Sequence, residues 1–340
     1  MKMKRWLICL VLLTVSMGLT AEKLATLKGV FKPFFLAVDD QQFYVTEGVT
    51  VSIFSLKDFS LKKTFGKAGE GPQEFKQAPV GMSIVMVYPQ PDALVVNSLG
   101  KVSLYSKDGI FIKEMKSPVS GQMLGMFQPL GNQFVGMGLS SNTGGGQSLN
   151  LTINLYDADL KKIKEITSVP FIQRGRMEFP MVTPAFYVAD NKIIVGGQQE
   201  FAVNVLAADG KVVASITRPY KPLKVTEEYK KGIHDTFKTT MKEAYEIIKK
   251  IMTFADKFPP IQMIYVDNRT IYIQTYMQEN GKNEFFIYDL SGKFLKRLLL
   301  PFSYLNGAQP CPTAIKNNKL YQLIENEDEE TWELHATKIM

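Results

Sequence analysis

Three observations predict an all-β fold, a six-bladed β-propeller with one helical insertion. First, a phrase recurs: an apolar strand ending in an aromatic or Leu, a polar turn, then a basic-apolar strand. It reads VSIFSLKDFSLKKTF, VSLYSKDGIFIKEM, INLYDADLKKIKEI, VNVLAADGKVVASI and FFIYDLSGKFLKRL, and half of it closes the chain as WELHATKIM. Second, the equivalent positions Phe54, Tyr105, Tyr156, Leu206, Tyr288 and Leu334 are spaced 51, 51, 50, 82 and 46 residues apart. Periods near fifty built of short alternating strands belong to propellers, where each repeat is one four-stranded blade that cannot bury both faces alone. Third, the one long interval has a helical, not a strand, period.

The N-terminal residues read as a processing signal. Lys2, Lys4 and Arg5 precede a short apolar run from Trp6 to Leu19, and Ser16, Gly18 and Ala21 lie near a plausible cut. The run is shorter than the roughly 20 apolar residues a spanning helix needs, so a signal peptide over 1–21, a mature propeller over 22–340 and no membrane span after cleavage are expected. The destination is then periplasmic or secreted. Past residue 21 one cysteine remains, Cys311, so stability is expected from packing rather than from an intramolecular disulfide. The formal charge of +7 falls to +4 without the three leader cations, and the remaining Lys and Arg are scattered. Nucleic acid, which calls for a concentrated basic face, is not an expected partner. Lysines spread along strands serve instead to blunt exposed sheet edges.

Alternation and turn residues place the strands. Blade one runs through FFLAV, FYVTE, VTVSIFS and LKKTF, and blade two through SIVMVY, ALVVN, KVSLYS and IFIKEM. Blade three takes MLGMF, QFVGMGL, LNLTINLY and KIKEIT, with the polar loop SSNTGGGQS between its second and third strands. Blade four is AFYVA, KIIVGG, FAVNVL and VVASIT; blade five is QMIYV, TIYIQTY, EFFIYD and FLKRLLL. Blade six offers only TAIK, KLYQLI and TWELHATKI, so its outer strand is expected from 23–31, KLATLKGVF, which would close the ring and leave no free edge.

The long interval places a helical insertion at 220–258. Thr226 caps its start, Glu227 and Glu228 complement the first turn, and Tyr229, Ile233, Phe237, Met241, Tyr245, Ile248 and Met252 recur every three or four residues. Gly232 or Thr239–Thr240 divides it, and Pro259 and Pro260 stop it.

Between blades one and two stands FGKAGEGPQEFKQAPVGMSIV, in which Gly66, Gly69, Gly71, Pro72 and Phe75 match a GxxGxGPxxF turn followed by Pro and an inner strand. In this the chain resembles the NHL-like six-bladed propellers of bacteria, and FPPIQMIYVDNRTIYIQTY looks like a blade lead-in of their exported, mostly uncharacterised members. The resemblance covers about 22–340 and implies a fold, not an activity. The Asp-x-x-Asn-x-Arg signature frequent in NHL repeats is replaced here by TEGVTVSIF, NSLGKVSLY and GQQEFAVNV. A second, looser copy of the turn is IQRGRMEFPMVTP, with Gly175, Glu178 and Phe179 in corresponding places.

Catalytic patterns are sparse. His234 and His335 lie far apart in the blade map, no nucleophile elbow occurs, and Cys311 has no nearby histidine. A lactonase-like metal hydrolase or lyase would need carboxylates and Asn converging on the channel. Asp39, Asp40, Asp190, Asn191, Asp267, Asn268, Asn317 and Asn318 all fall between a first and second strand, where they serve as hairpin turns. Met82, Met86, Met123, Met126 and Met263 line the inner strands as core or as an adaptable channel mouth.

Connections 66–81, 170–184, 219–260 and 301–312 each join an outer strand to the next inner one and are expected to share one rim. Loops on a rigid scaffold are where ligands bind most often. Glu74, Phe75, Arg174, Arg176, Glu178, Phe179, Tyr229, Phe237 and Tyr245 are the candidate binding residues. The expected function is a non-catalytic exported propeller, without cofactor or metal, that engages a peptide, glycan or partner protein at the face with the insertion. The metal-dependent enzyme is the alternative.

Overall fold

The computed structural model describes residues 19–77, 85–119, 125–141, 148–181, 185–197, 200–305 and 308–339. Met82, Met123 and most of the SSNTGGGQS loop lie outside them. Six four-stranded antiparallel sheets form the blades of a ring. From axis to rim, blade one is Phe35–Val38, Gln42–Glu47, Thr50–Ser55 and Leu61–Phe65; blade two is Met86–Pro89, Ala93–Ser98, Lys101–Ser106 and Phe111–Lys116. Blades four and five begin at Phe186–Ala189 and Met263–Asp267 and end at Val212–Thr217 and Phe294–Pro301.

Burial follows position in the blade. Second and third strands are covered on both faces, so Phe43, Tyr44, Val45 and Thr46 are buried in succession, whereas the outer strand Leu61–Phe65 is mostly exposed. The core is therefore divided into wedges between neighbouring blades. Blades one and two share Tyr44, Ile53, Phe75, Val87, Val96 and Tyr105; blades four and five share Ile194, Val203, Val205, Ile264, Ile271 and Ile273.

The N-terminal strand closes the ring as expected. Glu22–Leu27 pairs antiparallel with Thr331–Lys338, from Glu22 opposite Ala336 to Leu27 opposite Trp332. The strand is shorter than 23–31 because Gly29 turns the chain at φ 79°. Beyond it the Trp332 indole donates to Phe31 O at 2.8 Å, and Trp332 packs with Leu27, Val30, Leu36 and Leu334 between blades six and one.

Blade three corrects one expected strand. Its inner strand is Gln128–Leu130, and Gly125–Phe127, the described part of the expected MLGMF, is not in it. Met126 takes φ 50°, which breaks extension, and Phe127 is occupied by the neighbouring blade: its N–H donates to Asn97 Oδ1 at 2.7 Å and its carbonyl accepts from Asn97 Nδ2 at 2.9 Å. The remaining strands are Gln133–Ser141, Leu149–Tyr156 and Lys162–Ile172.

The Asp and Asn pairs do make hairpin turns. Both central residues are left-handed at Asp190–Asn191 (φ 50° and 54°), Asn268–Arg269 (45° and 62°) and Asn317–Asn318 (50° and 57°), the geometry of a type I′ turn. These turns also join blade to blade: Arg269 pairs with Asp190 at 2.8 Å, Asn268 donates to Asn317 at 3.2 Å, and Asn317 donates to Asp40 at 3.0 Å.

Candidate functional site

The insertion contains two helices, α1 (Glu227–Thr240) and α2 (Tyr245–Ile251). Thr226 caps α1 with extended backbone, its Oγ1 accepting from Tyr229 N at 3.1 Å. Of the two expected break points, the chain divides after Thr240, where Met241 N still donates to Phe237 O at 2.9 Å.

The end of the insertion differs from expectation. The helical period does not run to the prolines; α2 stops at Ile251, and Met252–Phe254 is a strand. Its partner is Met177–Phe179 from the blade three to four connection, paired in parallel from Met177 opposite Met252 to Phe179 opposite Phe254. Ala255 N extends this ladder to Phe179 O at 2.8 Å. A ladder with a distant segment decides the conformation here, overriding the local period.

Both Glu-Phe copies turn out to lie in short parallel ladders. Glu74–Phe75 pairs with Lys67–Ala68 inside its own loop, while Glu178–Phe179 pairs with the insertion. The first loop closes on itself: Gly71 N donates to Glu74 Oε2 at 2.9 Å and Lys67 sits 3.0 Å from Glu74 Oε1. These two partners hold the Glu74 carboxyl below the usual range, with Lys67 first. Gly66 (φ 91°) is required there, since a Cβ would stand 2.5 Å from Val49 O.

Aromatic contacts fasten the helices in two places. Phe179 meets Phe237 edge-on at 5.6 Å and Phe254 at 6.0 Å, and the Tyr245 hydroxyl lies 3.1 Å from His234 Nδ1. Tyr229 packs edge-on against Phe258 at 5.0 Å, and Phe258 stacks on Tyr276 of blade five at 4.3 Å. Ala308, from the blade five to six connection, joins that second cluster. Three of the four connections thus meet; Phe75 holds the first at its own blade boundary.

The nine candidate residues separate accordingly. Phe75 and Phe179 are 0% and 2% exposed, and Tyr229 and Tyr245 are 9% and 7%, so these four fasten loops and helices and leave little surface for a ligand. Phe237 is half-buried against Phe179. Arg174, Arg176 and Glu178 stand exposed at the tight turn Gln173–Arg176, and Glu74 is half-buried in its loop.

Residues the sequence did not mark as binding candidates form a cleft of about 310 Å³ at the root of the insertion, lined by Glu200, Phe201, Thr217, Arg218, Pro219, Tyr220, Pro222 and Pro260. The two ends of the insertion are pinched together beside it: Val225 N donates to Asp256 O at 3.0 Å and Phe258 N to Leu223 O at 2.8 Å. Arg218 lies over the rings of Phe286 and Phe294, at 4.1 and 5.0 Å from their centres. It forms no ion pair among the described residues. By contrast Arg297 of blade five is taken up by Glu284 at 2.6 Å, whose other oxygen accepts from Thr275 at 2.8 Å. The cluster RPYKP, a cation among prolines and an aromatic, was the available signal, but Arg218 gains meaning only from phenylalanines far along the chain.

Among the described residues no three His, Cys, Asp or Glu side chains gather as metal ligands. His335 instead donates from Nε2 to the Glu333 carboxylate at 2.8 Å. Cys311 is buried, and burial pushes its thiol up to about 12, away from nucleophilic use. No helix of the described residues is long and apolar enough to cross a membrane.

The chain matches no protein-family model and no curated protein sequence. Among solved structures it is similar to a luciferin-regenerating enzyme, at 10% identity over 94% of this chain and 95% of that one, with a TM-score of 0.45. It is also similar to Kluyveromyces lactis Hsv2 (9% identity, 90% of this chain and 98% of that one, TM-score 0.39) and to the Neurospora crassa Pan2 WD40 domain (8%, 90% and 89%, TM-score 0.41). These likenesses carry nothing about activity; the ring of six four-stranded blades is established by the chain's own sheets.

Proposed function

We propose that this is an exported, non-catalytic propeller that binds a peptide, glycan or protein partner on the face bearing the helical insertion. One observation carries the reading: the parallel ladder of Met177–Phe179 with Met252–Phe254 fixes the insertion rigidly to a neighbouring connection, beside a cleft framed by the insertion's own two ends. Rigid placement limits the ordering cost of binding. Export is supported by Lys2, Lys4 and Arg5 ahead of the apolar run; a cut after Ala21 leaves the closing strand Glu22–Leu27 whole. Kinship with NHL-like propellers is supported by Gly66 and Gly69, which take φ 91° and 151° in the blade-two lead-in.

The pinched neck supplies the test. Because Phe258 N donates to Leu223 O, residues 224–257 can be replaced by a short Gly linker without spanning a gap. Peptide and glycan arrays probed with the whole protein and with this deletion should give hits that the deletion loses while its β-sheet circular dichroism persists. Hits retained at equal strength would overturn the proposal.

A further inference from the structure

We propose that Arg218 anchors the carboxylate of a ligand whose apolar body lies against the prolines and aromatics of the cleft. This rests on the insertion face being the binding face and adds the chemical class of what it takes.

The cleft has rigid apolar walls. Pro219, Pro222 and Pro260 contribute little side-chain entropy to lose, and half-buried Tyr220 presents ring surface, backed by buried Phe201 at 5.9 Å. Arg218 is held before any ligand arrives. Its guanidinium rests on Phe286 and Phe294, and its backbone N–H donates to Phe201 O at 3.2 Å. A half-buried guanidinium without a carboxylate partner is an open site for a planar anion, since its fork of donors matches a carboxylate with two parallel hydrogen bonds. Glu284, whose charge reaches Tyr220 of the cleft, is held by Arg297 and Thr275. Glu200 lines the cleft without pairing to Arg218 and discourages a second negative charge. One cation, apolar walls and one repelling carboxylate fit a monoanion with a ring-bearing body, and not a phosphate, which gathers several donors. A peptide C-terminus ending in Pro-Phe presents this chemistry, with the apolar body that a hydroxyl-covered uronic acid lacks.

Titration calorimetry on the whole protein uses two matched pairs: N-acetyl-Pro-Phe against its C-terminal amide, and methyl glucuronide against methyl glucoside. N-acetyl-Pro-Phe should bind tenfold or more tightly than its amide, and an acid preference shown only by the glucuronide would overturn the peptide as the source. R218Q should abolish the preference, and R218K should weaken it, because an ammonium keeps the charge and loses the fork. If R218Q unfolds, R218K with an unchanged melting temperature carries the test. Acid and neutral forms binding alike, no binding in either pair, or a preference untouched by R218Q or R218K would overturn the assignment. Insertion-dependent array hits alongside such a failure would remove the ligand class and leave the binding face standing.

Discussion

Asn97 and Phe127 exchange two hydrogen bonds across the boundary between blades two and three, at 2.7 and 2.9 Å, with both residues buried. The side-chain amide imitates one rung of a sheet at a place where no sheet exists. Gln128 repeats the device one boundary later, accepting from Val188 N at 2.9 Å and donating to Phe186 O at 3.3 Å.

Asn97→Ala should therefore cost more than its few lost atoms. It leaves the Phe127 N–H and carbonyl without these partners in a buried setting, at about 1–3 kcal/mol each. A fall in melting temperature of about 3 °C or more is expected, since unfolding entropy of about 2.1 cal/mol/K per residue makes 1 kcal/mol worth only about 1.4 °C in a chain of 340 residues. A change within 1 °C would show that the clip contributes nothing to the joint.

Closure is titratable through Glu333. Lys23 first, then Asn326 and His335, hydrogen-bond its carboxylate and hold it down at about 2, below the ordinary value near 4.5. A depressed carboxyl contributes stability above its unfolded value and loses that contribution as pH falls toward the folded one. Lys23 is raised by the same bond, so its share is present below the ordinary lysine value and is lost as alkali deprotonates it. Melting temperature should decline between about pH 4.5 and 2, and Glu333→Gln should flatten that decline; parallel curves for the two proteins would refute the link.

Removing residues 22–27 should destabilise the ring as a whole, because the edge of Thr331–Lys338 and the apolar wedge around Trp332 and Leu334 are both uncovered. Denaturant unfolding should shift to lower concentration and the truncated protein should self-associate on sizing columns, as free edges pair with other chains. A monomer of unchanged midpoint would mean the strand only decorates the ring.

Phe179→Ala should free the insertion without opening the blades. Deleting a buried Phe costs about 3–5 kcal/mol, and here the lost contacts are with Phe237 and Phe254. Limited proteolysis should cut within 227–251 faster than in the parent, with the remaining fragments still folded. Equal cleavage rates would place the fastening elsewhere.

The blades were legible because each strand announces itself locally: the alternation in Thr50–Ser55 or Lys101–Ser106 is written in its own residues. The break after Thr240 was one of two possibilities, since Gly232 weakens a helix as much as paired threonines do; Gly232 is buried in α1 and stays helical. Met252–Phe254 was not legible, because three residues following a helical period acquire strand geometry only from a partner some 75 positions earlier. The same distance hid Arg218. Its neighbours in sequence say cation near prolines; Phe286 and Phe294 make it an oriented one. Tyr229 and Tyr245, prominent by spacing, proved to be fasteners, because an aromatic stripe is equally good at binding the protein to itself.

The pairing of Glu22–Leu27 with Thr331–Lys338 also sets a schedule. Among the described strands the earliest in the chain is claimed by one some 300 residues later, so at about 5–20 residues per second it waits on the order of 15–60 seconds with its hydrogen-bonding edge unclaimed. During that interval the growing arc of blades has two open ends, and the seam is sewn only after Thr331–Lys338 has emerged.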